Sequence, residues 1–402
     1  VTPRHRAERA ALAVLATLVV VIGGGAIVMV RAAAPAMTWT ASPVNVVAGG
    51  STPAFSWPKD QAAVAIPGFA LTASPGFERP EPIASVTKMM TALVVEQYLP
   101  LTGDGSGPTW TVTTHDVAQW QKVVAEGGSN LSVDVGERLS ERQLLEGLLI
   151  HSANNFAFLL VDLCGVSSST FVAQMNATAR SFGLIATTYV DPTGFPAGNV
   201  STPSDQLIVA EHLLADPQLA SIVEMTSAAL PNGAPDMTYT PMLGRYGIDG
   251  VKTGYSSAAG GCDVVAVHRR IGGVTVQFLA VVLGARAGGE FPSLDKAARE
   301  ALALIDQAAA SVVVTTIPAG TVIGVLHAGG SNVPVALGTA LAVPMVPGTT
   351  LPVHYFPVVD GGFVATGSSV GSGGMTIGNQ TVLVPALATT AIAPRSTLDR
   401  VG

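Results

Sequence analysis

The period of the hydrophobic positions changes several times along this chain, and each change predicts a different kind of element. Residues 10–30 are almost entirely apolar and carry no charge. At about 1.5 Å per helical residue such a stretch crosses about 30 Å of hydrocarbon, so it predicts a membrane-spanning helix. Residues 62–66 and 69–72 flank a Pro67-Gly68 turn and predict a short hairpin, followed by a Pro-punctuated loop to Ala84. A helix is predicted from Ser85 to about Tyr98. Ser140-Glu141-Arg142-Gln143 is a capping-box pattern, and Leu144, Leu145, Leu148 and Leu149 behind it give the 3.6-residue stripe of a second helix. Further helices are predicted at residues 155–163, 168–182, 204–215 and about 218–226, each entered by a Ser, Asn or Asp-Pro signal. After Gly250 the pattern turns to β-rich runs at 250–253, 263–269 and 274–283 with Gly-rich turns, which predicts an antiparallel meander; a helix follows at about 294–309. Beyond Val312 no helical period survives, and short Val, Thr and Leu runs between Pro-Gly, Gly-Gly and Asp-Gly turns predict strands only.

Hairpin, helices, strands and helix in that order predict an α+β domain over residues 55–311, and the strand-only region predicts a small all-β domain over 312–390. The stretch from Ala33 to about Val47 is Ala, Pro, Thr and Ser without periodicity, so residues 31–54 read as a linker, and 391–402 as a tail. Arg4, Arg6 and Arg9 precede the apolar segment and only Arg31 follows it closely. The positive-inside rule therefore makes 1–9 a cytoplasmic tail, 10–30 a signal-anchor, and everything after Arg31 extracytoplasmic. Ala32-Ala33-Ala34 offers a cleavage site, the mark of a removed signal peptide and a secreted product; the apolar run exceeds the usual h-region, which favours the uncleaved anchor.

A chain of 402 residues exceeds what one core usually organises. With 48% hydrophobic and 12% charged residues, 44 Gly and 27 Pro, it is a loop-rich globular protein. A net charge of -7 and no long Lys/Arg run exclude nucleic acid as a partner. Cys164 and Cys262, the only cysteines, permit one bridge in an oxidising location, but their apolar surroundings favour two buried free thiols.

Three short strings then change the picture: Ser85-Val86-Thr87-Lys88, Ser152-Ala153-Asn154 and Lys252-Thr253-Gly254. Each is weak alone; in this order, with roughly 70 and 100 residues between them, they match an acyl-transfer signature. Ser85 opens a helix and Lys88 lies one turn on, on the same face. A serine hydroxyl needs a base, and lysine serves only when neutral. Bringing its pKa from about 10.4 to near 7 requires about 4 kcal/mol, which Lys252 as a second cation and burial beside Met89 and Met90 would supply. Ser152 and Asn154 in an inter-helix turn suit a proton relay and a substrate amide anchor. Lys252 and Thr253 on a strand suit a carboxylate, Gly254 leaves backbone open to a ligand, and N–H groups near Tyr255 and at Ser85 suit an oxyanion hole. Neither a metal nor a cofactor enters this chemistry.

Around these strings the chain resembles the D-alanyl-D-alanine carboxypeptidase family of low-molecular-mass penicillin-binding proteins. The resemblance runs through Pro82-Ile83-Ala84-Ser85-Val86-Thr87-Lys88-Met89-Met90-Thr91-Ala92, Ser152-Ala153-Asn154-Asn155, Tyr189-Val190-Asp191-Pro192-Thr193-Gly194, Asp249-Gly250-Val251-Lys252-Thr253-Gly254-Tyr255 and Val281-Val282-Leu283-Gly284-Ala285. It covers residues 62–310 and, more weakly, 317–388. It implies a serine β-lactamase/DD-peptidase-like fold, with Ser85 as nucleophile, Lys88 as general base and Ser152 as relay to the leaving D-alanine. Asn154 would anchor the peptide; Lys252, Thr253, Gly254 and Tyr255 would bind its terminal carboxylate. The implied partners are the peptidoglycan stem peptide and, as inhibitors, β-lactam antibiotics. The chain departs from the family pattern at 67–80, which lacks an acidic Gly-containing hairpin, and at Asn155-Phe156, where Asp-Ala is common.

Two rival readings stand beside this one. A β-lactamase of related fold would need a glutamate to activate the deacylating water, and only Glu211 and Glu224 lie between the second and third strings, both in predicted helices. A non-catalytic envelope protein of the same fold would keep the site only for binding.

Overall fold

The computed structural model describes residues 37–391, apart from 43, 70, 77, 103–104, 230–234, 241, 329–330, 359–363 and 378–379. The predicted membrane helix at 10–30 lies outside the described residues. Among those described, no single helix is long and apolar enough to cross a membrane. The chain divides into two compact units, residues 50–313 and residues 1–49 with 314–402.

The first unit is α+β. Its five-stranded antiparallel sheet runs in the order Ile248–Ser256, Gly260–Ile271, Val274–Ala285, Gln61–Ile66, Leu71–Ala73, so the predicted meander and hairpin join edge to edge. Helix Glu290–Ser311 packs on the two long central strands. Val264, Ala266, Leu279 and Val281, one face of the sheet, enter a single core with the remaining helices, and the intervening Val265 and Val267 are equally buried. A sheet covered on both faces explains why these strands read as continuous apolar runs instead of alternating.

Helix Glu141–Leu149 starts as predicted: Ser140 Oγ accepts from Gln143 N while Gln143 Oε1 accepts from Ser140 N. Helices Asn154–Leu163, Ser168–Ser181, Pro203–Ala215 and Pro217–Val223 follow within a few residues of their predicted bounds. Helix Thr114–Ala125 was not anticipated, although Thr113 and Asp116 form a second capping box. Both cysteines are free. Burial is the main cause that pushes each thiol up to about 12, so both stay protonated near neutral pH.

The second unit holds a seven-stranded antiparallel sheet, and it corrects the linker expected at 31–54. Met37–Ala41 pairs along Val322–Ala328, and Val44–Val47 pairs along Thr350–Pro357, so both segments are edge strands. Most of their residues are exposed, and an edge strand with little to bury carries no hydrophobic alternation to reveal it. Trp39 still meets Tyr355 edge-to-face at 5.8 Å. Strands Ser331–Leu337, Gln380–Ala388 and Ser369–Ile377 complete the sheet over a core that includes Ile323, Leu326, Val335 and Met375.

Candidate active site

Ser85 sits in a single 3-10 turn, Ala84–Thr87, that leads straight into helix Lys88–Tyr98. The turn is entered through Ala84 at φ 46°, a left-handed conformation that a residue with a Cβ adopts only when its surroundings impose it. The helix is buried along most of its length by Met89, Met90, Leu93 and Val94, which carries Lys88 into the core with no exposed surface.

There Lys88 Nζ finds three oxygen partners. Nζ donates to Ser85 Oγ at 2.7 Å, to Asn154 Oδ1 at 2.7 Å and to the Thr193 carbonyl at 2.8 Å. The first and second strings thus meet directly. Burial holds the Lys88 amine well below its ordinary range; Lys252 lowers it further, and Asp191 opposes both. The order differs from the sequence reading, which gave first place to Lys252.

Asn154 begins its helix at the end of a bend in which Ser152 is left-handed, φ 65°. Ser152 is buried, and its hydroxyl has no hydrogen-bond partner among the described residues, so the structure does not tie it to Lys88. Asn155, where the chain departs from the family pattern, has a clear structural part. Its amide donates to Leu131 O at 2.8 Å and accepts from Leu131 N at 3.1 Å, fixing the loop whose Ser129 carbonyl receives Asn154 N. Phe156 beside it is core.

The third string lies on strand Ile248–Ser256, which runs against the 3-10 turn. A Cβ on Gly254 would stand 2.8 Å from Ser85 N and 2.9 Å from Ile83 O, both backbone atoms, so the strand approaches Ser85 this closely only because this residue is glycine. Lys252 is buried, and its Nζ donates to Thr253 O at 2.9 Å. Burial lowers its amine to about 7 against the opposing pull of Asp263. Thr253 Oγ1 donates to Tyr239 O at 3.2 Å, so the hydroxyl must turn to face a ligand. Tyr255 follows, half-buried.

Two contributing residues have no role assigned from the sequence, although Thr193 lies within the family-like segment 189–194. Thr193 supplies a carbonyl, which no side-chain motif announces. Asp263 is buried directly across from Thr253 in the strand pairing, and neither of its oxygens has a hydrogen-bond partner among the described residues. Burial raises its carboxyl to about 8 in spite of Lys252. The signal for it was a lone acid in an apolar run. Glu211 and Glu224, weighed for a β-lactamase, lie in helix Pro203–Ala215 and at the end of helix Pro217–Val223, with no hydrogen bond to Ser85, Lys88 or Asn154. Among the described residues no cluster of side chains is arranged to hold a metal.

The meeting of Ser85, the buried Lys88 amine and the strand carrying Lys252 to Gly254 in one unit agrees with comparison to known proteins. The family model for D-alanyl-D-alanine carboxypeptidase matches residues 73–287, more than half of the chain. The chain belongs to this family. It is 27% identical over 209 residues to the D-alanyl-D-alanine carboxypeptidase DacF of Bacillus subtilis, over 50% of this chain and 51% of the relative. It is 34% identical over 185 residues to DacB2 of Mycobacterium tuberculosis, over 44% of this chain and 59% of that protein. The matched region thus spans little more than half the length of these relatives. A crystal structure of a D-alanyl-D-alanine carboxypeptidase from Mycobacterium tuberculosis superposes with TM-score 0.54 at 28% identity, over 66% of this chain and 96% of the other. A structure from Streptococcus pneumoniae, described as a peptidoglycan synthesis regulatory factor (PBP3), has TM-score 0.61 at 20% identity over 84% of this chain and 100% of the other, a likeness of fold alone.

Proposed function

We propose that this family member is a serine-type D-Ala-D-Ala carboxypeptidase that removes the terminal D-alanine from stem pentapeptides through an acyl-enzyme on Ser85. The observation that carries the reading is the set of three bonds at Lys88 Nζ. A neutral lysine amine has two hydrogens and one lone pair. With the hydrogens given to Asn154 Oδ1 and Thr193 O, the lone pair faces Ser85 Oγ and accepts its proton as the hydroxyl attacks.

In this mechanism the substrate's terminal carboxylate meets Lys252 and the turned hydroxyl of Thr253, and the strand beyond Gly254 aligns the scissile carbonyl over Ser85. The oxyanion formed on attack is held by the N–H groups of Ser85 and Tyr255. Lys88 takes the Ser85 proton and passes one to Ser152, which in turn gives its own hydroxyl proton to the leaving amine of D-alanine, so that Lys88 is neutral and Ser152 a hydroxyl again once the peptide bond has broken. Water then attacks the ester, Lys88 takes the proton of water and returns it to the departing Ser85 Oγ, and the free serine is regenerated. A β-lactam carries the same carboxylate-and-acyl arrangement and acylates the same serine.

The same reading takes residues 10–30 as a single-pass anchor that keeps the catalytic unit outside the membrane, and residues 312–390 as the body of a separate all-β domain. Incubating the purified protein with a pentapeptide ending in D-Ala-D-Ala tests the assignment: release of one D-alanine per peptide supports it, and binding without release favours the non-catalytic reading.

A further inference from the structure

Asp191 contributes to none of the chemistry above, yet it organises the carbonyl on which Lys88 rests. Asp191 Oδ2 accepts from Thr193 N at 3.1 Å and from the Thr193 hydroxyl, and Oδ1 accepts from Gly194 N at 2.9 Å and Asn199 Nδ2 at 3.0 Å. The result is a closed Asp191-Pro192-Thr193-Gly194 turn that presents the Thr193 carbonyl to Lys88. Gly194 is left-handed at φ 79°, and a Cβ there would fall 1.9 Å from the Ala84 carbonyl, so the turn presses on the residue before the nucleophile.

The turn is also bolted to the element that carries Lys88. Thr87, just before it, accepts from Asn199 Nδ2 at 3.0 Å. Thr91, one turn after it, donates to the Pro192 carbonyl at 2.7 Å. Asn199 in turn donates to Asp191 O at 2.9 Å and accepts from Val190 N at 2.7 Å. The turn cannot shift without breaking bonds on both sides of Lys88.

We infer that Asp191, held by Asn199, is a positioning residue for proton transfer at Ser85, fixing the Lys88 amine through the Thr193 carbonyl and not acting as a base itself. Each Asp191 oxygen already receives two donors, so drawing a proton from water would cost it one of these bonds. The charged groups acting on Lys88 are Lys252, from the strand, and Asp191, from the turn; its other partners, Ser85 and Asn154, are neutral. Asp191 therefore carries the negative charge that opposes Lys252 in its effect on the amine. This inference rests on the assignment of Ser85 and Lys88 made above.

The test is the pH profile of acylation by benzylpenicillin in the full-length protein. Replacing Asp191→Asn is expected to lower the plateau rate about 10- to 100-fold, the effect of a misplaced reacting group, and to move the acid limb to lower pH, because the charge favouring the protonated amine is gone. Asp191→Glu, which restores the charge, is expected to return the limb to the wild-type position. A plateau that falls with the limb unmoved would reduce Asp191 to a merely structural residue and overturn the inference. Should Asp191→Asn fail to fold, Asn199→Ser keeps the charge and removes the brace: a lowered plateau supports the inference, and wild-type acylation contradicts it. Lys88→Ala separates the two levels. Loss of acylation in Lys88→Ala with no effect in Asp191→Asn defeats only the positioning role, whereas acylation that survives Lys88→Ala defeats the base assignment and this inference with it.

Discussion

Lys88 and Asn154, 66 residues apart in the chain, share a buried 2.7 Å hydrogen bond between Nζ and Oδ1. That contact joins two strings that are individually commonplace, and it makes Asn154 part of the seating of the base as well as a candidate anchor for the peptide.

Removing the Asn154 acceptor leaves the buried Lys88 amine one partner short. Asn154→Ala is expected to slow acylation by benzylpenicillin at least about 100-fold, the scale of a lost general-base arrangement. Stopped-flow or gel-based labelling rates check this; a change below threefold would show that the bond does not orient the amine.

Two lysines of opposite required charge predict a bell-shaped pH dependence. On the proposed mechanism Lys88 acts as the free amine, so kcat/KM is expected to rise as pH climbs through its lowered pKa, and Lys252 has to stay protonated for a carboxylate, so kcat/KM is expected to fall above about 7 in the free enzyme. Lys252→Arg keeps the cation at all working pH values and is expected to remove the alkaline limb. An alkaline limb unchanged in that variant would assign it to another group.

The close approach at Gly254 is equally testable. Gly254→Ala places a methyl group against Ser85 N and Ile83 O, neither of which can rotate away. The expected cost is about 1–3 kcal/mol in stability, as for other overpacked sites, together with a loss of acylation larger than that of a substitution remote from the turn. Thermal denaturation and labelling on the same sample measure the two effects.

Far from the site, Glu141 is buried with neither carboxylate oxygen partnered among the described residues, and burial followed by repulsion from Glu96 pushes it up to about 8. A carboxyl raised from 4.5 binds its proton more tightly in the folded state, so its contribution to stability is fully present at low pH and is lost as pH rises from about 4.5 through about 8. Glu141→Gln mimics the protonated form. It is expected to match wild type near pH 4.5 and to exceed it in Tm near pH 8.5. Asp263 titrates in the same direction and keeps part of the slope in both proteins. Equal Tm values at pH 8.5 would place the Glu141 charge in contact with solvent or a counterion.

What was legible in the chain follows from what each segment has to bury. Capped amphipathic helices such as Glu141–Leu149 and the long apolar strands 260–271 and 274–285 announce themselves, because cap chemistry and burial both leave marks. Helix Thr114–Ala125 buries only Asp116 and Val123 and is otherwise polar, so its period is faint. Strands Met37–Ala41 and Val44–Val47 lie at sheet edges and look like linker for the same reason. At the site, Ser85, Lys88, Asn154 and Gly254 were readable as motif letters and come together in the structure. The Thr193 carbonyl, its support from Asp191 and Asn199, and the orphaned Asp263 depend on backbone path and cross-strand register, which local patterns do not encode.

The central claim is that Ser85 is the acylated nucleophile. Intact-mass spectrometry of the protein with benzylpenicillin, followed by peptide mapping, tests it most directly. One adduct is expected, on the peptide containing Ser85, and none in Ser85→Ala. An adduct of the same mass on Ser85→Ala, or one mapped to another residue in the wild-type protein, would contradict it.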